Sequence, residues 1–208
     1  MKKSKRIKKS NSWKIKQHRD QFFKKSKTLG YRSRASFKLI ELNKKFKFIN
    51  KDTNLLDLGS FPGGWAQVVS NIITTGKILS VDLKDMEPIK NVKFLKNNIL
   101  EEVTKEKIEK YFTSKLDVII SDMAADTTGN KSLDSIRTNQ LCAEAISFSK
   151  GMLKPKGVLV SKLFMGADFI EVKNLAKLAF KNVNFFKPDS SRSESKETYL
   201  HCKNLKTL

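Results

Sequence analysis

The chain has 208 residues, which suits one medium-sized domain with or without an appendage, and 39% of them are hydrophobic, enough for a real core. Its 42 Lys and Arg outweigh 21 Asp and Glu, a formal net charge of +21 that calls for a polyanionic partner: RNA, DNA or an acidic membrane surface. No stretch approaches the ~18 apolar residues of a membrane span, the Lys-rich start lacks the apolar core of a signal peptide, and Cys142 and Cys202 stand far apart without metal-ligand spacing. Membrane, secreted and zinc-finger classes are excluded, and a reducing cytoplasm is the expected compartment.

Residues 1–27 hold twelve Lys and Arg and one acidic residue, Asp20. Residues 1–11 read as a mobile basic arm and 12–28 as a basic segment of helical character. Such charge gains affinity for phosphates by releasing counterions, without reading sequence. Trp13, Phe22 and Phe23 either stack on bases or pin a helix to the body, and Arg32 and Arg34 are expected to add phosphate contacts. From Ser33, a candidate helix cap, the apolar positions Ala35, Phe37, Leu39, Ile40, Leu42 and Phe46 follow helical spacing. Strands are then expected over 54–58, 77–81, 92–95, 117–121, 157–163, 183–187 and 198–202. Helices are expected near 63–73, 101–113, 132–152 and 168–180, the last capped by Asp168. Strand–helix alternation implies a parallel, doubly wound α/β sheet, and two closing strands with no helix between them imply an antiparallel hairpin at one edge. The organisation is a basic arm, 1–27, on one α/β domain, 28–208.

The most informative segment is LLDLGSFPGGW at 55–65: an apolar strand carrying Asp57, then a glycine turn into a helix. Ligands of open α/β sheets bind at such turns, where glycines admit close backbone approach and the helix start offers free N–H groups. The turn is neither the dinucleotide fingerprint nor a phosphate loop, so a pyrophosphate cofactor is disfavoured. Asp57 suits a ligand with a cationic group. The next strand ends in Asp82, about twenty residues on, where a carboxylate can accept from a ribose diol. A nucleoside joined to a zwitterionic amino acid, without phosphate, describes S-adenosylmethionine.

DLGSFPGGW, SDMA at 121–124, KPDSSRSESKETYL at 187–200 and YRSRASFKL at 31–39 together resemble the FtsJ-type 2′-O-ribose methyltransferases. The resemblance covers roughly residues 28–203, and length and motif spacing are nearest to bacterial members acting on large-subunit ribosomal RNA. It implies a Rossmann-like fold with a seven-stranded, mostly parallel sheet, S-adenosylmethionine as cofactor and no metal. Methyl transfer to a uridine ribose of 23S rRNA, in the large subunit or its precursor, is the implied activity, and a monomer is expected. Cofactor-binding positions carry over as Gly63, Trp65, Asp82 and Asp122. Where bacterial members have Asp to meet the adenine amine, this chain has Asn98, a neutral acceptor, and after SDMA it has Ala125-Asp126 in place of Pro-Asn. A tRNA or other RNA substrate, and a non-catalytic ribosome-assembly factor that only binds RNA, are the alternatives.

The resemblance also implies a catalytic tetrad of Lys38, Asp122, Lys162 and Glu197. Read alone, Lys38 is one more phosphate-contacting lysine, Asp122 a turn cap, Lys162 a strand-end lysine and Glu197 a surface ion-pair partner. The chemistry gives the set a purpose. A ribose hydroxyl is hardly ionised near neutral pH, so it must be aligned with the methyl–sulfur bond and relieved of its proton. Lys162 is the expected base, which requires its pKa to fall below the ordinary value of ~10.4, and the other three orient the ribose and tune it.

Overall fold

The computed structural model describes residues 20–206. The elements run α1 Gln21–Thr28, α2 Ala35–Phe46, β1 Leu55–Leu58, α3 Gly64–Ile72, β2 Ile78–Asp82, β3 Val92–Lys96 and α4 Glu102–Phe112. They continue with β4 Leu116–Ser121, α5 Lys131–Met152, β5 Leu153–Phe164, α6 Phe169–Ala179, β6 Phe180–Phe186 and β7 Glu197–Leu205. The strands form one seven-stranded sheet in the order β3-β2-β1-β4-β5-β7-β6. Its first five strands are parallel, and β7 pairs antiparallel to both β5 and β6. The expected architecture is the observed one.

Alternation along the strands sorts side chains to two cores. Leu56, Leu58, Leu79 and Ile119 face Ile108 of α4, Ile146 of α5 and Val172 of α6. Leu55, Ile78, Val118 and Ile120 face Leu39 and Leu42 of α2 and Val69 of α3. Because both faces are covered, β1 is buried at every position, which is why it reads as a continuous apolar run broken only by Asp57. Cys142 and Cys202 are free thiols buried in the first of these cores. No helix among the described residues is long and apolar enough to cross a membrane.

Several local expectations need correction. Ser33 does not cap α2: Arg34 holds the cap position in helical conformation, and the Ser33 hydroxyl is buried without a partner. Asp168 does sit at the start of α6, but its carboxylate accepts from the Asn139 side-chain amide (3.0 Å) instead of capping. Strands β5 and β6 begin at Leu153 and Phe180, earlier than expected, because each continues directly from the helix before it. Segment 12–28 is helical from Gln21, with Asp20 as a true cap, and Phe22 packs on Phe37 (ring centroids 5.5 Å apart), so that ring pins the helix to the body. Trp13 and the arm over 1–11 lie outside the described residues.

Candidate active site

The connections reverse direction between β1 and β4, so the two parallel carboxyl ends leave a crevice. A cleft of about 840 Å³ opens there, walled by the turn after β1, the end of β2, the segment after β3, the loop after β4, the middle of α5 and Lys162 of β5. Gly59 takes a left-handed φ of 74°, and a Cβ on it would lie 2.7–2.9 Å from Met123, so the turn after β1 can pass close to the β4 loop only as glycine. Gly63, at φ 105°, starts α3 under the same constraint, with Arg32 and Ile89 each 2.9 Å from where a Cβ would be.

On one side of the cleft stands Asp82. Its two carboxylate oxygens accept from the backbone N–H groups of Phe61 and Lys84, each at 2.8 Å, which fixes the group and leaves its outer lone pairs toward the opening. Asn98 lines the same wall, and its side-chain oxygen accepts from Leu100 N–H at 3.1 Å. An amide oxygen has two acceptor sites, so one remains. Beneath the turn, Asp57 is fully buried: one oxygen accepts from Ser80 (3.1 Å), and the other has no partner. Burial pushes its carboxyl up to about 7. The Ser60 hydroxyl, in the turn itself, is likewise buried and unpartnered.

The Trp65 side chain faces the core. Its indole is 3% exposed, donates to the Ala35 carbonyl (2.8 Å) and packs in the core against Tyr199. Neither it nor Gly63 lines the cleft. What Trp65 can offer a ligand is its backbone N–H, in the first turn of α3, where no intrahelical acceptor exists.

The four tetrad candidates do converge. Lys38 projects from α2, Asp122 follows β4, Lys162 lies on β5 and Glu197 opens β7, where β5–β7 pairing sets Lys162 opposite Tyr199. Lys38 Nζ lies 2.6 Å from Glu197, and Lys162 Nζ lies 2.7 Å from Asp122 and 3.9 Å from the other Glu197 oxygen. Lys162 also donates to the Asp122 carbonyl at 3.0 Å. Burial pushes the Asp122 carboxyl up, but Lys162, Lys38 and the hydrogen bonds it accepts outweigh that and hold it below the usual carboxylate range. Burial pulls Lys162 down, and Asp122 and Glu197 more than reverse it, so its pKa is raised. The expected depression of Lys162 is therefore absent from the protein without ligand: two carboxylates face it and one cation does not balance them.

Two further participants escaped the sequence reading. Tyr199 is fully buried and donates to Asp122 at 2.7 Å, and Ser191 donates to Glu197 at 2.9 Å. The signal for Tyr199 was its place two residues beyond Glu197, on the same face of a strand. The arginines expected on phosphates are engaged internally: Arg32 donates to the carbonyls of Glu87 (2.7 Å) and Pro88 (2.9 Å), and Arg34 to that of Ser190.

The model of the FtsJ-like methyltransferase family matches residues 31–205. The chain belongs to the FtsJ-like methyltransferases. Among curated relatives, the protein named ribosomal RNA large subunit methyltransferase E of Pelagibacter ubique is 45% identical over 197 residues, 95% of this chain and 97% of that one. The protein of the same name from Rickettsia akari is 44% identical over 202 residues, covering 94% and 89%. A crystal structure from Plasmodium falciparum, assigned as a ribosomal RNA methyltransferase, matches 84% of this chain and 98% of its own with a TM-score of 0.75 at 33% identity. Human methyltransferase-like protein 13, solved with SAH, matches 74% and 72% with a TM-score of 0.57; at 16% identity it shows the shared fold. A methyltransferase must hold donor and acceptor in one space, and here the Asp82–Asn98 wall and the Asp122–Lys162 pair face the same cleft. Among the described residues no group of three or more His, Cys, Asp or Glu is placed to hold a metal ion.

Proposed function

We propose that this methyltransferase moves a methyl group from S-adenosylmethionine to the 2′-hydroxyl of a uridine ribose in 23S rRNA of the large ribosomal subunit. The observation that carries this reading is that Lys38, Asp122, Lys162 and Glu197 form one paired set, whose Asp122 and Lys162 line the cleft that also holds a fixed Asp82. Relatives that share 44–45% of the sequence and bear the name of a large-subunit rRNA methyltransferase support the substrate class. On this reading the basic segment 1–27 meets the RNA backbone and 28–208 is the catalytic domain.

The donor set fits the cofactor. Asp82 can accept from a ribose diol, Asn98 from an adenine amine, and the unpartnered Asp57 oxygen and Ser60 hydroxyl mark a buried polar end at the turn that a zwitterionic group would satisfy. When bound, S-adenosylmethionine supplies an electrophilic methyl group and a fixed positive charge at sulfur. The residues of the chain do the rest. Asp122, held by Tyr199, orients the Lys162 amine, and Glu197 holds Lys38 beside it. Added positive charge lowers a lysine pKa, so Lys162 releases its proton more readily in the loaded cleft and can then take the proton of the ribose hydroxyl. The raised pKa of Lys162 favours a second reading: it remains an ammonium that orients the hydroxyl oxygen, and the strongly acidic proton of the methylated oxygen is lost to solvent as the new C–O bond forms.

The test of function is incubation with labelled S-adenosylmethionine and ribosomal subunits from cells lacking the activity, followed by mapping of the labelled nucleotide. One methyl per target ribose is expected. Label in tRNA would move the substrate, and tight RNA binding without label would make the protein an assembly factor. Turnover against pH separates the two proton routes. A lysine base gives a rate that climbs about tenfold per pH unit below its pKa; a flat profile from pH 7 to 10 removes the base and leaves the orienting ammonium.

A further inference from the structure

Helix α1 has eight residues; Ser26 is its one fully buried side chain, and the half-buried Phe22 packs on Phe37. A single carboxylate adds the polar anchor. One oxygen of Asp20 caps the helix by accepting from Phe22 N–H (3.0 Å) and Phe23 N–H (3.2 Å). Its other oxygen pairs with Arg34 and lies 3.8 Å from the Arg192 guanidinium. These arginines belong to the two elements that deliver one tetrad ion pair. Arg34 is the cap residue of α2, one turn before Lys38. Arg192 lies in the β6–β7 loop, where the preceding Ser191 donates to Glu197, and Arg34 reaches across to the Ser190 carbonyl of that loop. Glu41 of α2 completes the clasp by accepting from the backbone N–H groups of Asp189 (2.6 Å) and Ser190 (3.1 Å).

We propose that Asp20 is a positioning residue, which docks α1, at the end of the basic segment, against α2 and the β6–β7 loop and thereby holds Lys38 and Glu197 in register. The inference rests on the reading of the tetrad as the site of methyl transfer. It makes engagement of RNA by the basic segment and alignment of the tetrad one event: a pull on α1 is felt at Arg34 and Arg192, and through them at both ends of the Lys38–Glu197 pair. Without Asp20 the two guanidiniums face each other with Glu194 and Glu197 as the acidic groups still acting on Arg34. Burial and Arg192 already push the Arg34 guanidinium below its ordinary pKa.

The roles of cap and anchor can be separated. Asp20→Asn keeps the capping oxygen and removes the charge, whereas Asp20→Glu keeps the charge and misplaces the cap. The Asn variant should unfold near the wild-type temperature, bind S-adenosylmethionine within twofold of wild type, and lose about tenfold in kcat on ribosomal subunits. The Glu variant should unfold earlier and keep kcat within about threefold. A residue that served stability alone would give losses that follow the unfolding temperature, and that pattern, or wild-type kcat in the Asn variant, overturns the proposal. Hydrogen exchange reads the coupling without reference to activity: the Ser190 and Ser191 amides should lose protection at least tenfold in the Asn variant and keep it in the Glu variant. Unchanged protection overturns the proposal. A wild-type protein that transfers no methyl to rRNA, while these exchange differences hold, overturns the functional reading instead.

Discussion

Buried ionisable groups occur here in two settings, and the settings have opposite consequences. Around the cleft, Lys38, Asp122, Lys162 and Glu197 are nearly all removed from water yet paired within 2.6–3.9 Å, and the pairing keeps Asp122 and Lys162 charged against the pull of burial. Asp57 and His201 are as deeply buried and have no counterion. Burial raises the Asp57 carboxyl to about 7 and lowers the His201 imidazole, stacked on Phe46 at 4.0 Å, to about 4. Depth alone neutralises a group; depth with an opposite charge at contact distance preserves it. On the proposed reading the second arrangement lets Asp122 hold the Lys162 amine in place until added positive charge in the loaded cleft lowers its pKa.

The largest effect should come from breaking the paired set. Lys162→Met should reduce turnover by roughly 10²–10⁴-fold, the range of a lost proton-transfer group, with cofactor affinity within a few fold. It should also cost about 3–5 kcal/mol of stability by leaving Asp122 buried with its nearest cation gone. The double variant Lys162→Met, Asp122→Asn should recover most of that stability and none of the turnover. Urea unfolding alongside single-turnover methyl transfer checks both halves, and a double variant no more stable than the single one would show that pairing is not what sustains these charges.

The unpaired groups can be titrated instead. For Asp57 the folded protein holds the proton more tightly than the unfolded chain, whose carboxyl titrates near 4. Its contribution to stability is therefore complete below pH ~4 and is lost as pH rises to about 7. Asp57→Asn removes that dependence, so the variant should gain on wild type by up to about 4 kcal/mol between pH 4 and 8. His201 has the opposite sign. Its folded pKa is depressed, so the contribution is complete above ~6.5 and is lost as pH falls toward about 4. His201→Phe, which can keep the stack on Phe46, should spare the protein about 3 kcal/mol of acid destabilisation. Unfolding midpoints at pH 4.5, 6 and 8 decide both; parallel curves for wild type and either variant would mean that water or a counterion reaches the group.

Legibility in the sequence follows the range of the interactions concerned. The central strands could be read because burial on both faces writes itself locally, as in Leu55–Leu58 and Leu116–Ser121. The tetrad could be read only because motifs carried it, for nothing near Lys38 says that it will meet a residue 159 positions later. The misreadings are of the same kind. Arg32 and Arg34 have the residue type for a phosphate contact, but distant backbone carbonyls claim their donors. The edge strand β6 is polar at Lys181, Asn182 and Asn184, and its true start at Phe180 is set by pairing with Leu205, far along the chain. The raised pKa of Lys162 in the protein without ligand reflects how closely Asp122 and Glu197 face the amine, a distance that residue identity does not contain.

The smallest effect is expected where a carboxylate is added by design at a half-buried site with no cation beside it. Asn98→Asp would keep the acceptor that meets Leu100 N–H and place a negative charge on the cleft wall. If Asn98 accepts from the adenine amine, the charge strengthens that bond: hydrogen bonds to charged groups contribute about 1.5–3 kcal/mol against roughly 0.5–1.5 for neutral ones. Desolvation of the new carboxylate opposes the gain. Asn98 keeps partial access to water, so the penalty falls well short of that at Asp57, and a net tightening of at most about tenfold, or ~1.4 kcal/mol, should remain. Asn98→Ala should weaken binding by a similar factor and leave the methyl-transfer step at saturating cofactor unchanged, because a contact made equally before and during the reaction alters binding alone. Calorimetric titration of the three proteins with S-adenosylmethionine measures the difference. Equal affinities would mean that the side chain serves only the turn at Leu100, and that the adenine is held by other groups of the wall.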